Sequence, residues 1–194
     1  MERLEQQIAF IKEMDKSKFV GRQTYIGEGA RKENDAEHSW HLALMALLLN
    51  EYANEKVDVL KVMSMVVVHD IIEIDAGDTY AYDPEGNKSK RDRELKAADR
   101  LFSMLPEDQA AYLRSLWDEF EEAATPEAKF ALSLDKMQPM ILNDMSNGIS
   151  WKEHGVCKEQ ILARNAKTPE GSRTLWNYME EILNKNIREG NIGD

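Results

Sequence analysis

Apolar residues return every three or four positions along much of the chain. The first stretch to do so, Leu4, Ile8, Ile11 and Met14, forms one stripe of an amphipathic helix. Phe19 to Arg31 contains Gly21, Gly27 and Gly29 and no sustained period, which predicts a loop lying over the domain. Asn34 or Asp35 can then cap a helix running through Glu37, His38, Trp40 and His41 to about Tyr52. Its apolar block covers nearly every face, so this helix belongs at the centre. Val57 to Val68 is rich in β-branched residues and would suit a strand on propensity alone. Its length, a possible cap at Asp58, and Leu60, Met63 and Met65 among the valines favour a buried helix.

Gly77, Pro84 and Gly86 mark a long loop, after which Ser89 to Leu105 returns to helical spacing through Leu95, Ala98, Leu101 and Phe102. Proline near the first turn announces three later helices: Pro106 before Gln109 to Phe120, Pro126 after Thr125, and Pro169 after Thr168, with Thr125 and Thr168 as N-caps. The Pro126 helix is expected to reach about Met145, with Pro139 kinking it or ending it early. Trp151 to Ala166 predicts another short helix, and Pro169 to about Ile187 a terminal one. The expected fold class is therefore all-α, one compact helical bundle over residues 1–194, since no linker-like stretch divides the chain.

Charge narrows the function. A net charge of −11 opposes binding to a nucleic-acid polymer, which needs a basic surface to release counterions. A small anion can still be held where a metal ion or arginine concentrates positive charge. The longest apolar run, Leu42 to Leu49, is too short to span a bilayer, and Met1-Glu2-Arg3-Leu4-Glu5 lacks signal-peptide character, so the expected location is cytoplasmic. Cys157 is the single cysteine and reads as packing. Trp117, Trp151 and Trp176, at helical spacing among aliphatics, read the same way.

Three of the four histidines fall in two clusters, Glu37-His38-Ser39-Trp40-His41 and His69-Asp70. Imidazoles and carboxylates together suit a mid-row divalent ion. Neighbours on a helix point about 100° apart, so His69 and Asp70 both ligate only if the metal lies beside the helix end. From spacing alone, a histidine and an aspartate satisfying each other is the simpler reading.

The wider pattern changes that balance. His38, the later pair His69-Asp70 and the distant Asp135 resemble the HD-domain superfamily of metal-dependent phosphohydrolases. Glu33-Asn34 with Glu37-His38-Ser39, His69-Asp70-Ile71-Ile72-Glu73, Ala76-Gly77-Asp78-Thr79 and Asp135-Lys136 are similar to the branch containing bacterial 5'-deoxynucleotidases and their eukaryotic relatives, over about residues 22–151. The resemblance implies one divalent ion (Mn, Co, Mg, Zn, Ni or Fe) held by His38, His69, Asp70 and Asp135, leaving room for a water and a phosphate oxygen. No histidine lies between Asp70 and Asp135, which favours a mononuclear site.

The implied reaction is hydrolysis of (deoxy)nucleoside 5'-monophosphates. Another phosphate ester or nucleotide, and a non-catalytic nucleotide-binding module, are the alternatives. Glu73 follows His69 by four residues and Asp70 by three, so on a continuing helix all three share a face and Glu73 can orient or deprotonate water. The resemblance implies Asp78 near the sugar and leaving oxygen, the alternative being a turn residue after Gly77, and Arg22 is expected on the phosphate. In the bacterial branch a tryptophan follows the arginine. Here Gln23 does, with Tyr25 three positions after Arg22. His41 reads as an outer partner or core residue, His154 as surface, and Arg31 and Lys32 as solvated charge close in sequence to His38. Lys88, Lys90, Arg91 and Arg93 read as a solvated helix start or as a cluster lying over the pocket. A triphosphohydrolase would need more basic residues around its pocket than the sequence suggests, and the His-Glu-x-x-His spacing of zinc proteases is absent. The family commonly forms dimers, so a homodimer is expected, with Leu175, Trp176, Met179 and Ile182 serving either its interface or the chain's own packing.

Overall fold

The computed structural model describes residues 2–193, apart from the side chains of Pro84 and Asn87. Helix α1 (Arg3–Met14) leads through a short 3₁₀ turn into strands β1 (Gly21–Ile26) and β2 (Arg31–Asn34). The helices α2 (Asp35–Leu49), α3 (Val59–Val68), α4 (Glu73–Ala76), α5 (Pro84–Lys88), α6 (Lys90–Phe102) and α7 (Glu107–Glu122) follow. The chain ends with α8 (Pro126–Met145), α9 (Ile149–Glu153), α10 (Lys158–Arg164), α11 (Thr168–Gly171) and α12 (Arg173–Arg188). Among these residues no helix is long and apolar enough to cross a membrane.

The stretch read as a loop is instead a hairpin. β1 and β2 pair antiparallel, with Tyr25 opposite Lys32 and Ile26 opposite Arg31, and the register shifts between Gly21 and Tyr25. Gly27, Glu28 and Gly29 all adopt positive φ, so the glycines that suggested a loop are the ones that let this turn close. Gly29 also needs its missing side chain, because a Cβ there would lie 2.4 Å from Ile149 Cδ1.

The valine-rich segment is a helix. Asp58 caps α3 by accepting from the backbone N–H groups of Leu60 and Lys61, and Val62, Met65 and Val66 are fully buried. Tertiary burial thus overrides the β-branched preference. α8 runs through Pro139 to Met145 without ending early. It forms the axis of the core: its Phe130, Ala131 and Leu134 pack with Leu42 of α2, Val62 and Val66 of α3 and Met179 of α12.

The predicted terminal helix is two helices. Thr168 lies in the first position of α11, and the cap of α12 is Ser172, whose Oγ accepts from Leu175 N–H and donates to the Tyr52 carbonyl. Gly171 permits close packing of α11 on α8, since a Cβ there would fall 2.1 Å from the Lys129 carbonyl oxygen. Leu175, Trp176, Met179 and Ile182 are all buried within this chain. They are core residues, so the interface alternative for them is set aside.

Candidate metal and phosphate site

Three elements meet at one buried point. Asn34 accepts from Glu37 N–H while Glu37 accepts from Asn34 N–H, a reciprocal cap that fixes the start of α2 and with it His38. His69 and Asp70 follow the last turn of α3, and Asp135 projects from the middle of α8. The helix does not run on unbroken to Glu73. Tight turns carry the chain from His69 to α4, and Glu73 N–H still donates to the Asp70 carbonyl at 2.9 Å.

The histidine tautomers are set from behind. Gln138 donates to Glu33 Oε1 at 2.6 Å, so its carbonyl oxygen must face His38, whose Nδ1–H donates to it at 3.0 Å. His69 Nδ1–H donates to the Val66 carbonyl at 2.9 Å. Both Nε2 atoms are left as bare acceptors facing carboxylates. His38 Nε2 lies 3.2 Å from Asp135 Oδ1 and 3.8 Å from Asp70 Oδ2, and His69 Nε2 lies 3.0 Å from Asp70 Oδ2 and 3.7 Å from Asp135 Oδ1. His69 Nε2 has no hydrogen-bond donor of its own. Acceptors confronting one another in a buried space require a cation between them, either protons or a metal ion. Ligands about 2.1 Å from a common ion stand about 3 Å apart when adjacent, so the spacing fits a divalent metal. The residues present therefore suit the group that the donor set implies.

Without metal the site answers with protons. Burial opposes charging His69, but Asp70 and Asp135 outweigh it and push its pKa up to about 10. Burial also works against Asp70, yet His69 and Arg22 hold it well below the usual carboxylate range.

A second acidic cluster adjoins the first. Asp35, Asp70 and Glu73 present oxygens within 4.8 Å of one another. Its cation is Arg22, whose Nη1 lies 2.7 Å from Asp70 Oδ2 and 3.3 Å from Asp35 Oδ1. Burial and then Asp70 push Asp35 up to about 7, and burial with Asp70 and Asp35 pushes Glu73 up to about 10.

The site opens into a cavity of about 320 Å³ bordered by Arg22, Asp70, Glu73, Asp78, Asp135 and Lys136. Beyond Asp78 and Thr79 lies a smaller chamber of mixed lining, with Tyr80, Tyr82, Met140 and Trp151 on its walls beside Gln23, Asn143 and Ser150. Asp78 borders both, and burial raises its pKa against the pull of Arg22.

The structure brings every predicted site residue to this cleft: Arg22, His38, His69, Asp70, Glu73, Asp78 and Asp135. Arg31 and Lys32 do not join them. Arg31 pairs with Glu37 at the surface, and Lys32 donates to Gln23. Tyr25 does not enter the cleft either, since its hydroxyl donates to Glu153 at the surface, while Gln23 borders the second chamber. His41 is an outer partner, its Nδ1 lying 3.3 Å from Gln138 Nε2. His154 is exposed, though it stacks on Tyr80 at 4.2 Å between ring centroids.

One expectation needs correcting. Basic residues around the pocket are not scarce, because Lys90, Lys136, Arg164 and Lys167 gather at the cavity with Arg22. Lys136 was legible from its place beside Asp135, and Gln138 from its position three residues on, the same helix face. Arg164 and Lys167 come from a distant helix end and carry no sequence signal.

Similarity to known proteins agrees with this geometry. The HD domain family profile matches residues 14–176, and the chain belongs to that family. It is 31% identical over 137 residues to the 5'-deoxynucleotidase HDDC2 of Bos taurus, covering 70% of this chain and 64% of the relative. With the human protein of the same name it shares 31% over 112 residues, 58% of this chain and 53% of that one. The chain thus spans about half to two thirds of these relatives. A crystal structure described as a predicted metal-dependent phosphohydrolase of Magnetospirillum magnetotacticum MS-1 superposes with a TM-score of 0.95 at 44% identity, covering 99% of this chain and 96% of that one.

Proposed function

We propose that this protein is a metal-dependent phosphomonoesterase acting on nucleoside 5'-monophosphates, deoxy forms among them, with His38, His69, Asp70 and Asp135 as ligands to one divalent ion. The observation that carries the reading is the pair of bare imidazole Nε2 atoms aimed between Asp70 and Asp135, next to a buried Glu73. A divalent ion bound there supplies an acidified water and polarises a phosphoryl oxygen. The names of the curated relatives and of the 44% identical structure support the same class.

The chain's own residues divide the remaining work. Glu73 orients the attacking water, and it would take the water's proton once a bound cation offsets the carboxylates that raise its pKa. Arg22 offsets the charge of Asp35 and Asp70, which helps hold Asp70 in place as a ligand, and borders the phosphate. Asp78 stands where the two chambers join, in position to protonate or bind the leaving 5' oxygen, while the tyrosine-lined chamber takes the nucleoside. The guanidinium of Arg22, lying 2.7 Å from Asp70 and 3.3 Å from Asp35, holds positive charge in the second acidic cluster and supports a mononuclear site.

We also propose that the protein acts in the cytoplasm and as a homodimer. The terminal helix is internal, and among the described residues one exposed apolar face that could serve pairing is formed by Trp40, Leu44, Leu47 and Leu48 on α2 with Leu60 and Val67 on α3.

The test is phosphate release by metal-stripped protein re-supplied with manganese, cobalt, magnesium or zinc, against nucleoside 5'- and 3'-monophosphates and triphosphates. Metal-dependent turnover of 5'-monophosphates, lost in Asp70→Ala, supports the reading. Absence of turnover on every nucleotide, with metal bound, refutes it.

A further inference from the structure

The metal cavity and the tyrosine-lined chamber share five bordering residues: Arg22, Asp78, Thr79, Lys136 and Arg164. Three of these are cations, and they differ in what already occupies them. Arg22 is committed to Asp70 and Asp35, with Glu33 a further 3.7 Å from its Nε. Lys136 Nζ lies 2.8 Å from Asp135 Oδ2. Arg164 has no hydrogen-bond or ion-pair partner among the described residues, although its charge acts on Asp78, Tyr80, Tyr82 and Lys136 around the junction. It is exposed at the last turn of α10, where its fork is free to meet a ligand.

A phosphate monoester brings nearly two charges and three terminal oxygens, more than one metal position can satisfy. A planar guanidinium with unused donors is the side chain best matched to the oxygens left over. Lys167 also borders the metal cavity, but not the second chamber, and Lys90 lies 3.4 Å from Glu94. We propose that Arg164, rather than the motif residue Arg22, is the arginine that grips the outward oxygens of the substrate's phosphate where the two chambers meet. The proposal rests on the phosphomonoesterase reading for its substrate, while its probe is orthophosphate alone.

The experiment titrates orthophosphate into manganese-loaded wild type, Arg164→Gln and Arg164→Lys by calorimetry, and measures KM and kcat on a 5'-monophosphate in parallel. Expected is a ten- to a hundredfold weaker orthophosphate affinity in Arg164→Gln, about the value of a charge-assisted hydrogen bond. Arg164→Lys should recover part of it, KM should rise more than kcat falls, and metal content should not change. Equal orthophosphate affinity in wild type and Arg164→Gln overturns the proposal, as does absence of orthophosphate binding by the loaded wild type. Orthophosphate held through Arg164 with no nucleotide turned over would leave this assignment standing and remove the nucleotidase reading. Nucleotide turnover with KM and orthophosphate affinity indifferent to Arg164→Gln would do the reverse.

Discussion

The carbonyl oxygen of Gln138 accepts a hydrogen bond from His38 Nδ1 at 3.0 Å, and so decides which imidazole nitrogen faces the carboxylates. Glu33 holds the Gln138 amide from the other side, making a three-residue relay from β2 through α8 to α2. Outer partners of this kind fix ligand tautomer and orientation.

Replacing that partner should therefore weaken the metal without touching a ligand. Gln138→Leu is expected to lower metal affinity about 10- to 100-fold. Competition with a chelator of known strength measures it. An unchanged affinity would mean that Gln138 only fills space between α2 and α8.

Glu73→Gln separates chemistry from metal binding. The substitution keeps the shape of the side chain but removes its capacity to take a proton. We expect kcat on a 5'-monophosphate to fall by about 10²- to 10⁴-fold while one metal per chain is retained by elemental analysis. Parallel loss of metal would reassign Glu73 as a ligand or its support.

The metal-free protein should lose stability as pH rises. Folding lifts His69 from 6.5 to about 10, Glu73 from 4.5 to about 10 and Asp35 from 3.8 to about 7, so each binds its proton more tightly folded than unfolded. The stabilisation from His69 is complete below about pH 6.5 and gone above about pH 10, and the two carboxyls slope the same way from their ordinary values upward. Asp70 and Asp135, held low, act oppositely and only in acid, below their ordinary 3.8. Urea midpoints of stripped protein should fall from pH 6.5 to 9.5, and metal loading should flatten that slope because the ion takes the place of the protons. A stripped protein as stable at pH 9.5 as at 6.5 would contradict this charge arrangement.

Two backbone positions give stability tests of opposite sign. Ala123 ends α7 at φ 51°, a conformation that suits glycine, so Ala123→Gly should raise stability by about 0.5–1 kcal/mol. Gly171→Ala should lower it by several times as much, since the added carbon meets the Lys129 backbone. Denaturant midpoints of the two variants, with the wild type between them, check both.

Much of this was legible because helices advertise themselves locally. The Asp58 and Thr125 caps are read directly off residue types and confirmed by the bonds they make. The β1–β2 hairpin was missed because a two-stranded ribbon carries few alternating positions, and its glycines resemble those of any loop. Thr168 reads in sequence as the cap of the terminal helix because Thr-Pro is a strong start signal. It does start a helix, but one that ends at Gly171 where the backbone presses on α8.

Local sequence was enough for the helical class, for α3 as a helix despite its valines, and for the residue types and motif spacing that single out His38, His69, Asp70, Glu73, Asp78 and Asp135; it also suggested that α2 is buried on nearly every face, whereas Trp40, Leu44, Leu47 and Leu48 are exposed. Those are properties of short segments: periodicity, caps and ordered clusters of donors. Only the tertiary structure decided that Arg22 is spent on Asp35 and Asp70, that Gln138 stands behind His38, and that Arg164 reaches the same cleft unpaired. The reason is physical. A side chain's charge state and availability depend on what other segments bring within a few ångströms of it, and α10, α8 and the hairpin are joined there only by folding.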